Sequence, residues 1–269
     1  MMYEPNIHPG LSIREAHEVS HAMRALETKT RPLSLRPEDA GARADMYRFL
    51  SAVYLRPPQP ELLRCMTEGD LLEQLSRLLG SGGDAHLESL RSCAPDRDDP
   101  APLEQEYMDL FAVPTGRYVF PFEDVYRGTP AEETAKKGPL LGQCAVSVKR
   151  LYRQAGAQID PACTELPTHI GIELSFMSFL CQMEAETHLE TLANAPQPRP
   201  TDGNDKPGWL RELQLRFLTE HLNEWFPDLS RSIQANATSK FYPTLALFTE
   251  QFLSWDTEDL LDNESPGGA

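Results

Sequence analysis

From Pro37 onward the apolar residues recur at three- and four-residue intervals, and no stretch alternates residue by residue. Met46, Phe49, Leu50, Val53 and Tyr54 predict a first long helix, ended by "LRPPQP". Shorter helices are predicted around Glu61–Met66, Asp70–Leu79 and His86–Cys93, and an amphipathic one over Leu103–Phe111 with Leu103, Tyr107, Leu110 and Phe111 on one face. Leu141, Cys144, Val148, Leu151 and Tyr152 mark the next, closed near Gly156. The helix that begins near Pro167 differs from these, because Ile170, Leu174, Met177 and Cys181 form one apolar stripe while Ile172, Phe176, Phe179 and Met183 form nearly the opposite one. A helix apolar on two faces is buried on both, so this is the expected central helix of a bundle. Gly171, Ser175 and Ser178 give it a narrow edge along which another backbone can approach.

The proline- and glycine-rich stretch 194–208 predicts a mobile linker, long enough to permit helix exchange between two copies of a monomer. After it the pattern gives a helix from Trp209 to Trp225, stopped at Pro227, and another carrying Phe241, Leu245, Phe248, Phe252 and Trp255. The expected class is therefore all-α: a single-domain bundle of about ten helices over residues 37–256. It is preceded by a long extension, 1–36, with one short helix around Ser12–Glu27, and followed by an acidic disordered tail, 257–269.

Composition narrows the partners. With 41 acidic against 25 basic residues the formal charge is −16, which disfavours nucleic acid and anionic membranes and suits a basic partner. The five cysteines form no C-x-x-C pair, which fits reduced thiols better than a disulfide framework or zinc ribbon. No basic segment followed by an apolar core opens the chain, and no run reaches the roughly 20 apolar residues that span a bilayer, so no stable membrane insertion and a cytoplasmic location are expected.

Chemistry-bearing motifs are sparse. No G-x-S-x-G elbow, phosphate-cradling loop, H-E-x-x-H or dinucleotide fingerprint is present. The most enzyme-like feature is His169 with Glu173, four residues apart on the central helix with Glu165 just ahead; a metal-dependent bundle enzyme is one alternative it leaves open, and a general helical scaffold is another. Burial of Glu173 requires a partner or a bound proton. The connector "YVFPFEDVYRG", residues 118–128, is too aromatic for an ordinary loop. Its rings either plug the end of the bundle or line a pocket rimmed by Glu123 and Asp124, which suits a ligand apolar in one part and cationic in another.

Four segments, "RADMYRFLSAVYLRPP", "LEQEYMDLFAVPTGRYVFPFEDVYRG", "ELPTHIGIELSFMSFL" and "FLTEHLNEWFPDLSRSIQANATSKFYPTLALFTEQFLSWD", lie in order over about residues 40–256. Together they resemble the TorD/DmsD family of molybdoenzyme maturation chaperones, to which the NarJ-type nitrate reductase chaperones are related. The second segment is similar to the family's E-Y-x-x-L-F helix and P-x-E-S-V-Y-type loop, the third to its E-P-D-H-I-x-x-E-L-x-F-M segment.

The resemblance implies an all-helical protein that is not an enzyme and needs no cofactor. Its partner would be an apo-molybdoenzyme catalytic subunit and that subunit's twin-arginine leader peptide, held until the molybdopterin cofactor is inserted and before export. By position, Pro121, Glu123, Val125, Tyr126, Glu165, Pro167, His169 and Gly171 become candidates for signal-peptide binding. Phe122, Asp124, Thr168 and Glu173 join them from the reading of the residues. Two positions depart from the family pattern: Asp124 stands where serine is usual, and Thr168 where an aspartate precedes the histidine. If that aspartate meets an arginine of the leader, Asp124, Glu123 or Glu165 takes its place here.

Overall fold

The computed structural model describes residues 40–60, 92, 99–114, 116–127, 140–193 and 206–264. The helices among them are α1 (Ala40–Leu55), α2 (Ala101–Tyr107), α3 (Glu123–Arg127), α4 (Gln143–Gln154), α5 (Ile170–Ala193), α6 (Lys206–Phe217), α7 (Asn223–Asn236) and α8 (Phe241–Glu264). The all-α class holds, with fewer described helices than the ten or so expected. The helices predicted at Ser12–Glu27, Glu61–Met66 and Asp70–Leu79 lie outside the described residues, as do the extension 1–36 and all but residue 92 of His86–Cys93.

Helix α5 is the central element. Ile170, Leu174, Met177 and Cys181 are fully buried, and Ile172 and Phe176 nearly so on the other stripe. Its most extensive neighbour is α1, and the small-residue edge explains the close approach. A Cβ at Gly171 would lie 2.4 Å from Leu55 Cγ, inside van der Waals contact, so only glycine fits. Two serine hydroxyls knit the same seam: Ser51 donates to the Gly171 carbonyl at 2.7 Å and Ser178 to the Ala44 carbonyl at 2.8 Å. Ser175 faces elsewhere and lines a small, half-open cleft with Tyr152, Gln158, Ile159 and Ile172.

The E-Y-x-x-L-F segment proves to be a fastening. Glu106 accepts from the backbone N–H groups of Thr238 and Ser239 at 2.6 and 2.7 Å, filling the turn between α7 and α8. Tyr107 donates to the Tyr54 carbonyl at the end of α1, and the Leu110 carbonyl accepts from Val119, which starts the aromatic connector. A wide, i→i+5 turn over Met108–Ala112 closes α2.

Three boundaries differ from the sequence reading. Pro227 does not stop a helix; it lies inside α7, which follows α6 through a second wide turn, Leu218–Leu222. An internal proline costs about 3 kcal/mol, whereas Trp225, Phe226, Leu229 and Ile233 around it are fully buried and each contributes about 1.5–3 kcal/mol. Burial therefore wins. Helix α6 begins at Lys206, within the expected linker, and α8 runs to Glu264 with Leu260 buried, so the tail from residue 257 is helical that far.

Candidate functional site

The aromatic connector and the start of α5 form a single clamp. Glu123 N–H donates to the Thr168 carbonyl and Ile170 N–H to the Pro121 carbonyl, each at 2.9 Å, making an isolated antiparallel bridge between Phe122 and His169. The Phe122 ring meets the His169 imidazole edge to face at 5.3 Å. Tyr152 of α4 donates to the Pro167 carbonyl and braces the clamp from behind.

His169 is a structural centre here. Its Nδ1 accepts from the Gly171 N–H at 3.0 Å, so the ring proton sits on Nε2, on the side of Glu165. Burial pushes its pKa down to about 3, and the imidazole is neutral. Glu165, with its side chain 39% exposed, stands 3.9 Å away at the edge. The pairing of His169 with Glu173 on a metal is not realised. Each already has a different partner, and among the described residues no group of three or more ligand-type side chains could hold an ion.

Asp124 corrects the rim reading. It is fully buried, and its Oδ1 accepts from the N–H groups of Cys144 and Ala145 at the start of α4, the role of a helix cap supplied from another element. Its Oδ2 accepts from the Thr168 hydroxyl at 3.2 Å. The two departures from the family pattern are thus each other's partners in this chain. The nearby Cys144 thiol is pushed up to about 12, by burial first and then by Glu123 and Asp124, so it is inert as a nucleophile.

Glu123 is also fully buried, and it organises a cluster that sequence reading missed. His221 Nδ1 lies 2.9 and 3.0 Å from its two carboxylate oxygens, while His221 Nε2 meets Ser147 Oγ at 3.2 Å. Arg127, at the end of α3, places NH1 2.5 Å from Glu123 and also donates to the Glu220 carbonyl. His221 and Glu220 both belong to the wide turn Leu218–Leu222, which presents the His221 ring to Glu123 and the Glu220 carbonyl to Arg127. The order Ser147, His221, Glu123 has the connectivity of a hydrolytic triad. Ser147 sits mid-helix, however, where the surrounding N–H groups are committed to α4 itself and leave no donors for an oxyanion.

Beside this cluster Glu173 is buried, with Oε2 accepting from Trp225 Nε1 at 3.0 Å. Burial first, and then the Glu123 charge, raise its pKa well above the carboxylate range, so it holds a proton. As an anion its Oε1 has no partner; as an acid it can bond to Glu123. Tyr126 stacks on Trp225 with centroids 5.6 Å apart and stays half-buried. Of the remaining candidates, Pro121, Val125, Pro167, Thr168 and Gly171 are buried parts of the clamp, and Phe122 is half-buried. Position alone gave no sign of His221, Arg127, Ser147 or Trp225, since all but Arg127 are remote in sequence from the loop.

Residues 77–231 match the family described as nitrate reductase delta subunit. Among similar proteins is the perchlorate reductase assembly chaperone of Dechloromonas aromatica, 26% identical over 141 residues, 52% of this chain and 55% of that one. The selenate reductase assembly chaperone of Thauera selenatis is 27% identical over 150 residues, 55% of this chain and 67% of that one. The chaperone protein TorD of Colwellia psychrerythraea is 22% identical over 248 residues, 84% of this chain and 94% of that one. The matched region thus spans little more than half of the perchlorate relative. These relatives are named as chaperones, not enzymes, and the chain belongs to the nitrate reductase delta subunit family, the NarJ- and TorD-type chaperones that its motifs resemble.

Proposed function

We propose that this protein is an assembly chaperone of a molybdenum-containing reductase, which it binds as the apo-enzyme through the twin-arginine leader and retains in the cytoplasm until the cofactor is in place. The observation that carries this reading is the shared description of its relatives, named for the assembly of perchlorate, chlorate and selenate reductases. No helix among the described residues is long and apolar enough to cross a membrane, which fits a protein that meets its client before export.

The leader is received at the clamp. Its apolar stretch lies against the half-buried rings of Phe122 and Tyr126 and the cleft at the start of α5, and its arginines meet the Glu123–Glu173 pair. Carboxylates accept a guanidinium through two parallel hydrogen bonds, which favours arginine over lysine. Because these acids are buried and not at a rim, the charge contact acts on the dissociation rate more than on the encounter rate. Glu165 is the exposed acid left to steer the encounter.

The chaperone reading is tested by producing a molybdenum reductase encoded beside this gene with and without the protein and measuring its molybdenum content. Full occupancy only in its presence is expected, and equal occupancy in both would rule the reading out.

A further inference from the structure

Arg127 occupies an unusual position. It belongs to the five-residue α3, its side chain is 31% exposed, and yet its guanidinium reaches a carboxylate with no exposure at all. No other described lysine or arginine pairs with Glu123, so the side chain acts as a lid over a buried acid pair. Two observations indicate that this seat is incomplete with its present occupant. Arg127 engages Glu123 and the Glu220 carbonyl through NH1 alone, leaving the rest of the fork off the acids. In addition, the fully buried Glu173 beside it has Trp225 as its donor and no cation bonded to it among the described residues, so its Oε1 is matched only by its own proton toward Glu123.

We propose that Arg127 is an internal occupant of a guanidinium site formed by Glu123, Glu173 and the Glu220 carbonyl, and that an arginine of the client binds by displacing it. An arginine arriving from outside can direct its fork at both carboxyls, where Arg127 reaches one. The internal arginine keeps the site closed to weak ligands, since any competitor must match a tethered guanidinium before it gains anything. His221, itself held by Ser147, meets both oxygens of Glu123, so the carboxylate stays in place while its cation is exchanged. This inference rests on the leader reading for its ligand, and on the cluster geometry for its site.

The test uses Arg127→Ala in the full chain. A synthetic peptide of two arginines followed by an apolar leucine- and alanine-rich stretch, and the same peptide with two glutamines, are titrated into wild type and variant by calorimetry. The preference for the arginine peptide over the glutamine peptide is expected to rise about tenfold in the variant. A preference that stays the same or falls overturns displacement, because Arg127 would then be a bystander or a contact. In parallel, thermal unfolding of the variant is followed with millimolar ethylguanidinium chloride, using ethylammonium chloride as the charge control. Stabilisation by the first alone supports the site, and equal responses overturn it. If neither peptide binds either protein, the displacement proposal falls together with the leader reading; ethylguanidinium rescue would then place the failure in the ligand and not in the site.

Discussion

Two buried clusters of charge lie in this bundle, and they are built on opposite terms. In the first, Arg43 of α1 donates to Asp256 of α8 through Nε and NH2, to Glu184 of α5 and to Gln214 of α6; Tyr47 adds a bond to Asp256 at 2.5 Å. Arg211 also approaches Glu184, so two cations face two buried acids, and the fork of Arg43 is spent on partners from three other helices. In the second, the buried pair Glu123 and Glu173 has one guanidinium, reaching in from an exposed position and bonded to Glu123 alone of the two. The first network has its acids matched by cations from several helices, whereas in the second a single guanidinium bonds one of two buried carboxyls. The contrast is the one expected between a packing lock and the proposed arginine site.

The largest expected effect breaks the lock. Arg43→Met leaves Asp256 and Glu184 without their buried cation, and chemical denaturation should show a loss of about 3–5 kcal/mol. The seam beside the clamp comes next: Gly171→Ala forces a Cβ into Leu55 and should cost about 1–3 kcal/mol, with part recovered by adding Leu55→Ala.

The acid pair is read through pH. Glu173 carries a raised pKa in the fold, so the native state binds a proton that the unfolded chain releases above its ordinary value of 4.5, and its contribution to stability falls as pH rises from there. Glu173→Gln keeps an acceptor for Trp225 and removes that loss. Its stability relative to wild type should therefore improve with rising pH, by at most about 1.4 kcal/mol per unit. His169 runs the other way, with stability present above pH 6.5 and lost as pH falls toward 3. The smallest effect tests the pair of Asp124 and Thr168: Asp124→Ser should cost about 1 kcal/mol through the lost helix cap. Adding Thr168→Asp should recover part of it, visible as coupling in a double-mutant cycle.

The sequence made the helical period and the two-faced α5 legible, because both arise from local spacing of apolar residues. It also marked the loop and the start of α5 as belonging together, though not that they form a bridge between Phe122 and His169. Pro227 misled because a local rule about missing N–H groups was outweighed by burial that only tertiary contacts supply. Glu123 and Asp124 looked like a solvated rim since adjacent acids in a connector usually are. Their partners are His221, some 98 positions away, and the N–H groups of α4, and no local pattern reports such contacts. Asp124 and Thr168 were each visible as oddities; the hydrogen bond that makes them one feature was not.

The central claim, that buried Glu123 receives an arginine of the client's leader, is tested most directly by a double-mutant cycle across the complex. The leader of a molybdenum reductase encoded beside this gene is titrated, with its arginine pair intact or changed to glutamines, into wild type and Glu123→Gln. If the two groups meet, either change alone weakens binding by about tenfold or more, and making both costs little beyond one. Fully additive losses, or a leader that binds equally well without its arginines, would contradict it.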